Sequence, residues 1–145
     1  MVTNVRPAAN SDVKALSLLA EKLIPGEAEA ADRARVLRRS LRKPNYHLYV
    51  AEKGERLVGF VDFWIFSDFA HAGRMGIIQN LFVDRGVRRQ GIGDLLMERT
   101  MSRASQLGLK ELHVWTSLKN RAAISLYRKH GLTKKSLLLE REFEE

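Results

Sequence analysis

A chain of 145 residues without cysteine excludes disulfides, thiolate metal sites and a cysteine nucleophile together. Its length fits one domain over residues 1–145, long enough to bury roughly two thirds of its unfolded surface. Lysine and arginine outnumber aspartate and glutamate by 25 to 17, and the resulting +8 favours an anionic partner: nucleic acid, a membrane surface or a phosphorylated small molecule.

No apolar run approaches the roughly 20 residues that span a bilayer. The opening MVTNVRPAANSDV lacks the apolar stretch of a signal peptide, so a cytoplasmic protein with no membrane partner is expected. Residues 2–6 read as a short strand stopped by Pro7. Asn10 or Ser11 is placed to cap a helix running to about Lys22, with Val13, Leu16, Leu19, Ala20 and Leu23 on one side. Pro25-Gly26 breaks it, and a second helix is expected over 27–42, with Ala30, Ala34, Leu37 and Leu41 as its apolar stripe. The period then changes to that of strands over 46–53 and 56–66, joined by a hairpin turn at Lys53-Gly54-Glu55. A loop over 67–73 and a long strand over 74–84 follow.

A helix from Gly91 to Gly108, a strand over 110–116, and a helix capped by Asn120 and ending at Lys129 come next. Residues 132–143 are expected to add a last strand. The order β-α-α-β-β-β-α-β-α-β needs both parallel and antiparallel pairing, hence a mixed sheet.

The stretch QNLFVDRGVRRQGIGDLL, residues 79–96, sets Arg85, Arg88 and Arg89 beside Gly86, Gly91 and Gly93. A P-loop would need Gly-Lys-Ser/Thr after four intervening residues, but Ile92-Gly93 follows Gly91. A dinucleotide fingerprint would need a third glycine at position 96, which is Leu96. What remains is a strand, a short basic turn, and a helix opening at Gly91-Ile92-Gly93-Asp94. The N–H groups of such a first turn favour an anion, and small residues let it approach. An ordinary tight turn with solvated arginines is the plainer alternative.

Arg88-Arg89-Gln90-Gly91-Ile92-Gly93 resembles the acyl-CoA signature of the GNAT superfamily of N-acyltransferases, Arg/Gln-x-x-Gly-x-Gly/Ala, set between the fourth strand and the third helix. Asn120-Arg-Ala-Ala123-Ile-Ser-Leu126-Tyr127, followed by His130-Gly131-Leu132, is similar to the second hallmark, Asn-x-x-Ala-x-x-Leu-Tyr-x-x-x-Gly-Phe, with Leu132 in place of Phe. The resemblance covers the element order of the whole chain. It implies a GNAT fold, with a mixed six- to seven-stranded sheet flanked by about four helices.

It further implies acetyl-CoA as co-substrate, its pyrophosphate against Arg88, Arg89, Gln90, Gly91, Ile92, Gly93 and Asp94. The pantetheine arm would pair with the backbone of Phe82 and Val83, where two parallel strands splay apart. Asn120 would contact the same arm. Tyr127 would lie by the thioester sulfur and give the departing thiolate a proton, as a general acid. The Val83 N–H is expected to polarise the thioester carbonyl. Spacing alone also fits Asn120 as a plain helix cap and Tyr127 as a half-buried aromatic.

The reaction implied is transfer of an acetyl group to a primary amine, by direct attack in a ternary complex and without a metal. Many relatives carry a base on the fourth strand where this chain has Gln79. Asp62, Asp68, His71 and Asp84 are other candidates, with His71 expected in a loop bordering the acceptor side. Gln79 also keeps open a non-catalytic acyl-CoA sensor. On the second helix, Arg35, Arg38, Arg39 and Arg42 form a cationic stripe that reads as a solvated face, an attractor for an acidic acceptor, or a grip on phosphate backbone. The absence of interleaved aromatics argues against a nucleic-acid partner. Phe63, Trp64, Phe66 and Phe69 read as core, acceptor wall or the surface of a homodimer.

Overall fold

The computed structural model describes residues 2–144. Strand β1 (Thr3–Pro7) leads through a 3₁₀ turn (Asn10–Asp12) to helix α1 (Val13–Leu23) and helix α2 (Ala30–Leu41). Strands β2 (Tyr46–Lys53), β3 (Arg56–Asp68) and β4 (Gly73–Val83) follow. A 3₁₀ turn (Arg85–Val87), helix α3 (Ile92–Gln106), strand β5 (Glu111–Val114) and helix α4 (Arg121–Lys129) complete the regular structure. The strands form one sheet in the order β1-β2-β3-β4-β5. The first three pairings are antiparallel and β4–β5 is parallel, as the element order demands.

Each face of the sheet carries its own apolar cluster. Leu16 and Leu19 of α1 pack with Leu48, Val50, Leu57, Phe60 and Phe82 on one side. Ile92, Leu96 and Met97 of α3, with Tyr127 of α4, pack with Val61, Phe63 and Ile78 on the other. The alternation of side chains along β2 and β3 assigns successive residues to the two layers. None of the described helices is long and apolar enough to cross a membrane.

The β2–β3 hairpin forms as expected, with Lys53 opposite Arg56 and Gly54 at φ 64°. The expected loop over 67–73 is shorter. Asp68 pairs with Gly73, so β3 and β4 run on to a tight turn in which Ala72 takes φ 54°. Helix α2 starts at Ala30 rather than at residue 27, because Glu29 is still extended at ψ 148°. The cap expected from Asn10 or Ser11 is not made. Asp12 Oδ2 instead accepts the Ala9 N–H at 2.7 Å, while the Arg6 guanidinium donates to both carboxylate oxygens at 2.8 and 2.9 Å.

The strand expected over 132–143 does not form. Leu132 still packs on the core, but Leu137, Leu139 and Phe143 are about four-fifths exposed. A strand needs both a backbone partner and a face to bury, and the four-residue β5 at the sheet edge supplies neither to this segment. The described sheet therefore has five strands rather than the expected six or seven.

Candidate active site

The middle of β4 contains a β-bulge. Ile78 pairs with Phe63 and Asn80 with Asp62, leaving Gln79 as the extra residue. The parallel ladder to β5 stops at the same place: Ile78 opposite Val114 is its last pair, closed by the Trp115 N–H on the Ile78 carbonyl at 3.2 Å. From Gln79 to Val83, β4 has β3 on one side and, among the described residues, no strand on the other. Asp84 donates its N–H to the Val58 carbonyl at 2.8 Å, so two-residue alternation turns the N–H and C=O of Val83 toward the open side. The neighbouring Phe82 carries its side chain into the core, 6% exposed.

The glycine-arginine turn sits just past that open edge. Arg89 at φ 65° and Gly91 at φ 78° are both left-handed, the second as glycine allows and the first at a steric cost of about 1–2 kcal/mol. The backbone N–H groups of residues 89–94 find no acceptor among the described residues; the helical ladder begins with the Leu95 N–H on the Gly91 carbonyl at 3.1 Å. Ile92 buries its side chain, so only its backbone faces outward. Gly93 has a packing role: a Cβ there would lie 3.0 Å from Leu126 Cδ2, so its absence lets α4 close on the start of α3. Asp94 clamps the same junction, accepting from His130 Nε2 at 2.8 Å and Lys129 Nζ at 3.0 Å, and these partners hold its pKa below the usual carboxylate range. Arg88 and Arg89 are exposed, and Arg88 Nε donates to the Val83 carbonyl at 3.0 Å. Gln90 accepts from Lys53 Nζ at 2.7 Å.

On α4, Asn120 is exposed and caps the helix, its Oδ1 accepting the Ala123 N–H at 3.2 Å. Tyr127, two turns on, is 6% exposed and belongs to the same cluster as Ile78, Val87 and Ile92. Burial pushes the pKa of its phenol up to about 12.

The base candidates separate clearly. Asp84 is paired with Lys22 at 3.1 Å and lies 3.8 Å from Arg56. His71 pairs with Asp68 at 2.6 Å in the β3–β4 turn. That turn begins seven residues along β4 from Asn80, about 23 Å at 3.3 Å per residue, so His71 lies far from the bulge. Only Asp62 lines a cavity of about 430 Å³ between α1, α2 and the sheet, together with Gln79, Asn80, Trp64 and Tyr46. Tyr46 had no signal of its own in the sequence. The hairpin register sets it opposite Trp64, hence diagonal to Asp62 on the same face. Phe63 is core, whereas Phe66 and Phe69 are exposed near the hairpin tip.

The sequence model of the acetyltransferase (GNAT) family matches residues 14–132, which includes the whole of this arrangement. The chain belongs to the GNAT acetyltransferase family. An uncharacterized N-acetyltransferase, YhfO of Bacillus subtilis (strain 168), is 28% identical over 131 residues, covering 88% of each chain. The aminoalkylphosphonate N-acetyltransferase of Salmonella typhimurium (strain LT2) is 27% identical over 130 residues, 90% of this chain and 84% of its own. The crystal structure of an aminoglycoside N-acetyltransferase in complex with CoA matches 97% of this chain and 95% of its own, with TM-score 0.84 at 16% identity. This GNAT protein is therefore an acetyl-CoA-dependent acyltransferase.

Proposed function

We propose that this GNAT protein moves an acetyl group from acetyl-CoA to a primary amine by direct attack within a ternary complex. The observation that carries the reading is the row of unpartnered N–H groups at 89–94 lying just beyond a strand edge that no other strand covers. An anion meets there both the partial positive charge of the α3 N-terminus and the guanidinium groups of Arg88 and Arg89. The pyrophosphate of CoA is held by the backbone of residues 88–94. The pantetheine arm lies along Phe82 and Val83 as an added strand, touching Asn120. Arg88 leaves the Val83 carbonyl to make room and moves to phosphate. CoA supplies the activated acyl group as a thioester.

The Val83 N–H polarises the thioester carbonyl. Tyr127 remains a phenol well above neutral pH and hands its proton to the sulfur as the C–S bond breaks. No step needs a covalent link to the protein. These groups come from β4 and from the helices packed on the same sheet, which supports one domain. The composition fits work in the cytoplasm, and the exposed aromatics of the β3–β4 turn leave room for a homodimer.

Thiol release from acetyl-CoA over a panel of amines tests this directly. Tyr127→Phe is expected to keep its affinity for acetyl-CoA and to lose rate by about 10²–10⁴-fold. An unchanged rate would remove Tyr127 from the chemistry. Gln79 at the bulge, where its side chain cannot accept a proton usefully, favours one second reading: a non-catalytic acyl-CoA sensor. Tight binding with no thiol release against any amine is the result that reading expects.

A further inference from the structure

An alkylamine reaches a protein at neutral pH mainly as its ammonium ion, with an ordinary pKa of about 10.4, and must shed a proton before its nitrogen can attack. The cavity that holds Asp62 has walls that are largely aliphatic and aromatic, among them Leu23, Val36, Leu37, Phe60 and Trp64. Set into these walls is one buried carboxylate, Asp62, 6% exposed. Tyr46 Oη donates to Asp62 Oδ2 at 2.5 Å, and the Asn80 backbone N–H and Nδ2 donate to Oδ1 at 2.9 and 3.1 Å. No cation is among the groups that shift its pKa. The rings of Tyr46 and Trp64, 4.6 Å apart, line the same cavity.

The other charged groups of the cavity are few. Arg33 of α2 is engaged by Glu21 and by the Ile24 carbonyl, and Asp32 by Arg35 at 2.9 Å. Glu27 lies between the helices, and α1 and β4 contribute no charge to the lining. A chain of net charge +8 thus keeps here a cavity whose carboxylates without a cationic partner, among the described residues, are Asp62 and Glu27.

We propose that the acceptor is a primary amine borne on an apolar body, received as its ammonium ion against Asp62 and Tyr46 and deprotonated there by Asp62. This rests on the acetyl-transfer reading above. One ammonium proton passes to Asp62, directly or through the Tyr46 hydroxyl, which accepts it and gives its own to the carboxylate. The neutral nitrogen attacks the thioester carbon; the C–N bond forms and the C–S bond breaks. The nitrogen's second proton ends on the sulfur through Tyr127, and Asp62 returns its proton to solvent. The products are an amide, the CoA thiol and one proton. Burial holds the Asp62 carboxyl above its usual pKa, which brings its proton affinity toward that of a desolvated amine. A polyamine or an aminoglycoside would bring several ammonium groups to one buried carboxylate and an apolar wall, and a phosphonate would face Glu27 with no free arginine in the lining.

The test uses two readouts. In the first, phenethylamine, aminoethylphosphonate and kanamycin are compared as acceptors with the intact protein, Asp62→Asn and Tyr46→Phe. The expected result is a kcat/KM for phenethylamine at least tenfold above the other two. In Asp62→Asn the KM for phenethylamine rises tenfold or more. Its kcat/KM climbs with pH toward the pKa of the free amine instead of levelling off earlier, while the KM for acetyl-CoA is kept. Tyr46→Phe shows a smaller change in the same direction. An Asp62→Asn profile with unchanged KM and pH dependence, or a preference for the phosphonate or the aminoglycoside, overturns the proposal.

In the second readout, calorimetry follows phenethylamine binding to the CoA-saturated protein. Binding that is lost in Asp62→Asn supports the proposal even if no amine is acetylated, in which case the transfer reading fails alone. Binding unaffected by the substitution, or no binding at all, sinks this inference while leaving acetyl transfer to another amine class standing.

Discussion

Asp62 and Tyr127 are both buried, with different consequences for their charge. Burial raises both pKa values, but Tyr127 stays neutral over the whole working range, whereas ionised Asp62 sits in an environment that disfavours its charge. A carboxyl whose folded pKa lies above its unfolded value adds stability only at low pH and loses it as pH rises through the folded value. At neutral pH the ionised group therefore lowers stability. Asp62→Asn keeps an oxygen for the Asn80 N–H and is predicted to melt at or above the parent at pH 7, the gap closing as pH falls. Thermal denaturation across that range checks this; a gain of about 1 kcal/mol appears as roughly 2–4 °C. A variant that melts higher yet handles amine worse is what a functional carboxylate leaves behind. The placement of Asn120 and Tyr127 two turns apart on one helix was legible in the sequence because their spacing is fixed by a motif. The Tyr46–Asp62 contact was not, because it joins diagonal neighbours on two strands.

Among elements, the junction of α3 with α4 governs where the row of N–H groups points. Gly93, pressed against Leu126, and Asp94, tied to His130 and Lys129, fix the first turn of α3 to the last helix. Gly93→Val is predicted to push the two apart and weaken acetyl-CoA binding at least tenfold, with a Leu126→Ala partner substitution restoring part of it. Calorimetry on the single and double variants decides; independent losses would mean the contact does not set the cradle. Hydrophobic periodicity found α1, α3, α4 and the β2–β3 hairpin because each buries one face or is closed by a specific turn. It overran at residues 132–143, where SLLLEREF has strand-like residues but no sheet edge long enough to receive them. The bulge at Gln79 has no sequence signature either. It arises from the pairing of two strands, with the Asp62 side chain taking the Asn80 N–H that a regular ladder would have used.

At the scale of the whole molecule, one sheet carries two helical layers and a bulge in β4. The bulge ends the β4–β5 ladder, the open stretch of β4 leads to the basic turn, and the cavity under α1 and α2 meets β4 from the other face at Gln79 and Asn80. The +8 charge surrounds this arrangement without choosing its ligand; the exposed stripe of Arg35, Arg38, Arg39 and Arg42 lines neither the basic turn nor the cavity, and Arg33, which does line the cavity, is engaged by Glu21. The central claim is that the diphosphate of CoA docks on the N–H groups of residues 89–94, with its arm along Val83. Amide NMR of the isotope-labelled protein titrated with CoA addresses it most directly. The account predicts that the largest shifts fall on residues 89–94 and on Leu81 and Val83, saturating together with one affinity. Shifts confined to other surfaces, or an unperturbed turn at saturating CoA, would contradict it.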